Sequence, residues 1–276
     1  MFPVLIKIGP LTIHTYGFLF ALGVLMAILL ILKLAKGQNL DSKIVADFIF
    51  FTLLVGLFGA KLFLLIVEIK YYLAYPSEIK YLLTSGGTFY GGLICGALFA
   101  VWHIRRHRLD YKVIGDITVP AIALAHFFGR LGCFSAGCCW GRPAPDSILG
   151  VEFTNQYAHN HTGVPLNTSL YPTQLMEAAL NLLNFIVLMV WYRRRRFNGQ
   201  IFCLYIFNYS LIRFVVEYFR GDPDRQYVFG GMDQPFNSLS IPQLISIVGV
   251  SLAIILYRIF KKKGERTQQQ KNKTKG

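Results

Sequence analysis

Apolar stretches of about 20 residues, the length that crosses the hydrocarbon core as a helix, recur along this chain at 16–34, 44–68, 88–104, 113–129, 172–192, 200–219 and 237–260. A backbone in lipid must satisfy its own hydrogen bonds, which leaves few structures besides helices. Composition agrees, since 54% of residues are hydrophobic and only 15% charged, more apolar side chain than a water-soluble core can bury. The expected fold is an all-α polytopic membrane protein of about seven transmembrane helices. Its orientation follows from where Lys and Arg fall, because retained cytoplasmic loops carry the excess. Lys33, Lys36 and Lys43 occupy one loop, Arg105, Arg106, Arg108 and Lys112 the next, and Arg193 to Arg196 a third; Arg258, Lys261, Lys262, Lys263 and Arg266 open the C-terminal tail. The segments between are poorer in cations, so the N-terminus is expected outside and the C-terminus in the cytoplasm. The net charge of +14 therefore sets topology and meets anionic headgroups, and argues for the lipid bilayer rather than nucleic acid as partner.

No repeat or long linker divides the chain. One transmembrane domain is expected over 1–260, with its external loop at 130–171, folded and holding short strands near 150–153. A basic tail over 261–276, without apolar periodicity, is expected to be disordered. The first fifteen residues lack a basic region before the apolar run, which predicts an uncleaved first helix.

Charge inside lipid marks sites. His126, Arg130 and Arg142 bracket the end of the fourth run, with Cys133, Cys138 and Cys139 between them. Tyr209, Arg213, Glu217 and Arg220 lie four, four and three residues apart, which stacks them on one helix face. An unpaired Arg there costs about 2.5–3.5 kcal/mol on insertion scales. Either Arg213 and Glu217 form a structural pair, or the stripe is a fixed cationic site for an anionic headgroup. Arg130 and Arg142 favour the second reading, since guanidinium forks suit phosphate oxygens. Tyr90, Gly91 and Gly92 open the third run, where the glycines permit close helix approach or a substrate against the backbone. Tyr90 and Tyr16 are interfacial anchors or site hydroxyls. Gln174 and Glu177, one turn apart, either cap their helix or enter the site. Lys61 is expected to snorkel or pair with a carboxylate, and His126 to be a base or a hydrogen-bonding core residue, the latter favoured. His159 and His161 are weak metal candidates. The Cys133-x4-Cys138-Cys139 pattern is not a zinc spacing; it permits a disulfide or, less simply, redox chemistry. Cys95 and Cys203 read as small core hydrophobes.

Taken in order, Ile13-His14-Thr15-Tyr16-Gly17, Gly59-Ala60-Lys61, Phe89-Tyr90-Gly91-Gly92, Gly129-Arg130-Leu131-Gly132-Cys133-Phe134, Pro172-Thr173-Gln174-Leu175-Met176-Glu177, Arg213-Phe214-Val215-Val216-Glu217-Tyr218-Phe219-Arg220 and Ser240-Ile241-Pro242-Gln243 resemble the prolipoprotein diacylglyceryl transferases of the bacterial inner membrane. The resemblance implies an enzyme that moves diacylglyceryl from phosphatidylglycerol to the lipobox cysteine of a preprolipoprotein signal peptide, releasing glycerol phosphate. Its site would face the periplasm, and no metal or organic cofactor is expected. It implies Arg130 and Arg213 as phosphate-binding residues; the residues themselves add Glu217, orienting Arg213 or taking the thiol proton, and Tyr90 or Tyr209, hydrogen-bonding the headgroup, with Tyr90 placed in the catalytic set. Tyr16, Tyr209, Arg142, Arg220, Gln174, Glu177, Gly91 and Gly92 would shape the substrate site. The family signature commonly reads G-R-x-G-N-F-x-N-G-E-x-x-G, and here Cys133, Ala136 and Cys138 replace the two Asn and the Glu. Tyr90 stands where many members carry His.

The chemistry can be set beside the residues independently. A thiol of pKa about 8.5 is mostly protonated at neutral pH, so a base or positive potential must raise its thiolate fraction. Clustered arginines supply potential and stabilise a departing phosphate. Other readings of the same residues are a transferase with a different thiol or hydroxyl acceptor, an anion- or lipid-binding transporter, and a thiol-redox enzyme using Cys138 and Cys139.

Overall fold

The computed structural model describes residues 2–9, 11–84, 86–145, 147–223, 225–231 and 236–273. It is predominantly helical and divides into two compact units, one of Met1–Ile31 with Gly115–Gly276 and one of Leu32–Ile114. Among the described residues, six helices are long and apolar enough to cross a membrane: α1 (Thr15–Lys36), α2 (Ser42–Val67), α6 (Tyr111–Ala136), α8 (Thr173–Arg194), α9 (Gln200–Glu217) and α10 (Ile241–Lys273). The expected third span forms as α5 (Phe89–Arg106). It is not among the six, because three glycines, His103, Arg105 and Arg106 dilute its eighteen residues. Only 17% of the apolar window of α1 and of α2 is buried, so most of their side chains point outward, as for helices solvated by lipid.

The Leu32–Ile114 unit is built on α2 and α5, with α3 (Ile69–Ala74) and α4 (Ile79–Thr84) between them. Asp41 caps α2 by accepting from Lys43 N at 2.8 Å. The two long helices run antiparallel, with Gly59 against Gly91 and Cys95, Gly56 against Gly92, and Thr52 against Gly96. Lipid offers no hydrophobic drive for helices to associate, so close backbone approach through small residues supplies the packing. The backbone beside Gly91 and Gly92 is thus taken up by α2. At one end Thr88 N donates to Ala60 O at 3.0 Å, and at the other His103 Nε2 meets Ile44 O at 3.2 Å. Lys61 Nζ donates to the Leu82 carbonyl at 2.8 Å.

The other unit holds most of α1, α6 from Gly115 onward, the whole of α8, α9 and α10, and three small antiparallel pairs. These are β1 (Val4–Ile8) with β2 (Leu11–His14), β3 (Val151–Glu152) with β4 (Ser169–Leu170), and β5 (Tyr227–Phe229) with β6 (Leu239–Ser240). Helix α6 runs seven residues beyond the expected limit of 129, so Arg130 and Cys133 are helical and the loop begins at Gly137. The loop is folded, as expected: Trp140, Phe153, Ala158, Val164 and Leu170 make a small core around α7 (Gln156–Thr162), and β3 lies where strands were expected. Helix α10 continues to Lys273. The tail read from composition as disordered is therefore helical through that residue.

A buried carboxylate fixes the start of α9. Asp116 on α6, fully buried, accepts from Gly199 N at 2.8 Å and Phe202 N at 2.9 Å, two donors that a helix N-terminus otherwise leaves orphaned. Arg195 stands 4.0 Å from the same carboxylate, and Val119, Ala123, Leu188 and Ile201 pack beside it. Asp116→Ala is expected to remove about 2–4 kcal/mol, read as a lowered thermal unfolding midpoint in detergent, with Asp116→Asn in between. Gly59 tests the second unit: a Cβ there collides with that of Cys95 and comes within 2.8 Å of the Gly91 carbonyl oxygen. Gly59→Val is expected to cost about 1–3 kcal/mol by overpacking, while an unchanged midpoint would show that α2 and α5 do not depend on this approach.

Candidate functional site

Three helices bring charge together at one end of the first unit. The last two turns of α6 carry Arg130, the first turn of α8 carries Gln174 and Glu177, and the last three turns of α9 carry Tyr209, Arg213 and Glu217. Glu177 is buried and lies between two guanidinium groups, 2.9 Å from Arg130 Nη2 and 3.9 Å from Arg213 Nη1. Arg213 Nη2 is 2.9 Å from Glu217 Oε2, its i+4 neighbour on α9. The other oxygen of Glu217 contacts Arg225 and accepts from Ser240 Oγ at 2.8 Å. Arg225 in turn approaches Asp222, and Arg220 holds Asp222 through a fork at 2.6 and 2.8 Å. Arginine and carboxylate thus alternate along one chain of contacts, with four guanidinium groups to three carboxylates among the described residues.

Burial sorts these groups. The side chains of Glu177 and Glu217 are each 2% exposed, those of Arg130 and Arg213 21% and 20%. The carboxylates are buried, whereas each arginine side chain keeps about a fifth of its surface exposed, with Arg213 Nη1 itself buried. Glu177 Oε2, Glu217 Oε2 and Arg213 Nη1 have no hydrogen-bond partner of good geometry among the described residues, so the pairs spend less than their full donor and acceptor capacity on one another. Such an arrangement suits a tetrahedral anion that takes two guanidinium edges at once.

The Tyr209 ring lies 5.1 Å from that of His126 and stacks at 5.7 Å on Tyr205, with Arg130 and Arg213 within electrostatic reach of its hydroxyl. Tyr16 packs on Gly132 within electrostatic reach of Arg130 and the three clustered cysteines. Arg142 belongs to a junction of three strands of backbone: its N donates to Phe219 O at 2.8 Å, its carbonyl accepts from Tyr171 N at 3.0 Å, and its Nε donates to Arg220 O at 3.0 Å. Gly141 fits there because any Cβ would strike the Tyr171 carbonyl. Tyr90 lies in the other unit, at the first turn of α5 and 60% exposed.

The turn after α6 is unusual. Gly137 and Cys139 both take left-handed φ, +81° and +62°, a conformation that costs a non-glycine residue. Neighbours hold its carbonyls one by one: Thr162 Oγ1 donates to Gly137 O at 3.0 Å, Gln174 Nε2 to Cys138 O at 2.9 Å, and Thr173 Oγ1 to Cys139 O at 2.9 Å. Gln174 is therefore a tie between α8 and this turn. The turn folds Cys138 and Cys139 back on Cys133, and the three sulfurs lie within 4.8 Å of one another as free thiols. Hydrogen bonds from Cys133 and Cys138, with the charges of Arg220 and Arg130, hold the Cys139 thiol well below its ordinary range, whereas the bonds shared with Cys133 and Cys139 push Cys138 up. His159 and His161 turn Nδ1 to the Val164 and Tyr157 carbonyls, both at 2.8 Å. The cysteine trio is the one metal-competent group among the described residues.

Arg225, Asp222 and Ser240 escaped the sequence reading. Asp222 and Arg225 have ion-pair spacing but sit beyond the helix face that gave the stripe its signal; Ser240 lay in a recognised motif without a role.

The sequence pattern of the prolipoprotein diacylglyceryl transferase family matches residues 3–259. The phosphatidylglycerol–prolipoprotein diacylglyceryl transferase of Clostridium tetani is 33% identical over 94% of this chain and 98% of its own length. The second such enzyme of Clostridium perfringens is 33% identical over 97% and 99%, and that of Staphylococcus carnosus 30% over 94% and 91%. With the match running nearly end to end, and the charged end of α6, α8 and α9 inside it, this chain belongs to the prolipoprotein diacylglyceryl transferase family.

Proposed function

We propose that the protein transfers the diacylglyceryl group of phosphatidylglycerol to the thiol of a lipobox cysteine in a preprolipoprotein signal peptide. The observation that carries the site assignment is Glu177 between Arg130 and Arg213. A buried carboxylate pairs with two partly exposed arginine side chains, and their guanidinium groups would take the phosphate of a lipid headgroup whose acyl chains stay in the bilayer. In the reaction, the acceptor sulfur forms a bond to the glyceryl carbon as the carbon–oxygen bond to phosphate breaks. The electron pair passes to the phosphate oxygen, and glycerol phosphate leaves with the extra charge. Arg130 and Arg213 stabilise that charge as it develops, with the Tyr209 hydroxyl within electrostatic reach of both. Glu217 accepts from two arginines and a serine, which suits orienting Arg213 better than taking the thiol proton. Gln174 and Arg142 shape the site by fixing backbone, and Arg220, gripped by Asp222, contributes its charge. Tyr16 stands by the clustered cysteines, and Tyr90, Gly91 and Gly92 belong to the entrance of α5.

The cation-rich loops support an orientation in the bacterial inner membrane with the N-terminus outside and the C-terminus in the cytoplasm, in which the charged site would face the periplasm. Secreted lipobox cysteines arrive on that face.

The test is transfer of radiolabelled diacylglyceryl from phosphatidylglycerol vesicles to a synthetic lipobox peptide by the purified protein. Arg130→Ala and Arg213→Ala are each expected to lower the rate by about 10²–10³, the loss of one preorganised charge donor. Near-full transfer by either folded variant overturns the phosphate assignment, and equal labelling of a Cys-to-Ser peptide overturns the thiol acceptor. Ser240→Ala removes one support of Glu217, and a loss of roughly fivefold, about 1 kcal/mol, is expected.

A further inference from the structure

We propose that Cys133, Cys138 and Cys139 bind a thiophilic d10 cation, Zn2+, through three thiolates, and that its fourth position takes the sulfur of the acceptor cysteine. Sequence spacing argues against zinc, but the fold supplies what the spacing lacks. The last turn of α6 presents Cys133, and the left-handed turn at Gly137 and Cys139 returns the next two sulfurs to it. Tetrahedral zinc, with Zn–S near 2.3 Å, sets its sulfurs ~3.8 Å apart, and these three already lie within 4.8 Å of one another.

The second observation is the support beneath the trio. A strained turn persists only where its surroundings over-determine it, and here Thr162, Gln174 and Thr173 each hold one of three successive carbonyls. This is the supporting layer that metal sites require to keep their ligands aligned. The charge is also suited. Three thiolates on Zn2+ carry one net negative charge, and Arg130 and Arg220 are within electrostatic reach of Cys139. All three cysteines are partly exposed, so an ion and a further ligand have access. No fourth His, Cys, Asp or Glu joins the group among the described residues, which is the three-ligand pattern of a zinc that keeps a position open.

The part played by the acceptor rests on the transferase reading; the metal site does not. Coordination deprotonates a thiol. The incoming cysteine displaces a metal-bound water and gives its proton to that water, which leaves as hydronium. The bound sulfur then attacks the glyceryl carbon, the phosphate oxygen departs with the electron pair, and the neutral thioether, a far weaker ligand, leaves the ion.

Cobalt serves as the probe, added to the full-length protein in detergent with a non-chelating phosphine reductant. About one Co2+ per chain is expected, with a thiolate-to-cobalt charge-transfer band that disappears in Cys133→Ser and in Cys138→Ser. Alkylation of the wild-type protein provides a readout that needs no variant. Zn2+ is expected to slow labelling of these three thiols by roughly tenfold, the thiolate being the reactive form, while Cys95 and Cys203 act as internal references. Absence of both the band and the protection overturns the site, and so does a freshly purified metal-free protein with a disulfide among the three. A cysteine lipobox peptide is expected to shift the cobalt band and its serine counterpart to leave it unchanged; identical spectra would overturn acceptor coordination. These measurements contain no lipid donor, so a bound, responsive metal with no diacylglyceryl transfer would count against the transferase reading alone.

Discussion

The carboxylate of Glu177 is the constraint on which the charged end of this protein depends. It joins α8 to α6 through Arg130 and reaches α9 through Arg213. Each of those arginines would be costly within a helix crossing a membrane if left alone, and the carboxylate would be costlier still in its 2% exposed setting. Together they are tolerable. Pairs of this kind add little net stability over an apolar core; what they provide is geometry. Arg213 is held on one side by Glu177 and on the other by Glu217, so its guanidinium plane is set before any ligand arrives.

The same economy of support extends to the backbone. Trp140, Gly141 and Arg142 pass close to Phe219, Arg220 and Gly221, with Gly221 N donating to Trp140 O at 3.1 Å and Arg142 N to Phe219 O at 2.8 Å. The end of α9 is thereby tied to the segment that follows α6, and Thr173 and Gln174 tie the start of α8 to the same segment. Rigid placement of a site needs its supporting shell satisfied as well as its leading residues, and here polar side chains at three helix ends provide that shell.

What was legible in the sequence were features governed by local period. The apolar runs gave every long helix, and the spacing of Tyr209, Arg213 and Glu217 gave their common face. Where tertiary contacts decided the outcome, local period misled. Arg130 looked like the start of a loop because a charge ends an apolar run, yet Glu177 makes it a tolerable helix residue and α6 continues to Ala136. The glycines at 91 and 92 left two uses open, and packing against Gly59 and Gly56 selected one. Gln174 left a helix cap and a place in the site both open, and its amide holds a turn 36 residues away in sequence. Arg225 and Ser240 meet Glu217 from positions 8 and 23 residues distant, a range over which no periodicity operates. The helical course of α10 to Lys273 shows the converse, since a Lys- and Gln-rich composition carries good helix formers as readily as solvated coil.

The charge arrangement also limits where the acceptor proton can go. Glu177 and Glu217 are each flanked by two guanidinium groups, and Glu217 by a serine hydroxyl as well. With oxygens turned to arginine and, for Glu217, to serine, these carboxylates serve to set the guanidinium groups rather than to meet a thiol. A thiol brought to this end of the protein is met first by guanidinium charge, which favours ionisation by stabilising the thiolate itself. Arg130 and Arg220 lie within electrostatic reach of Cys139 in the cysteine turn, so positive charge from the proposed phosphate site extends to that turn.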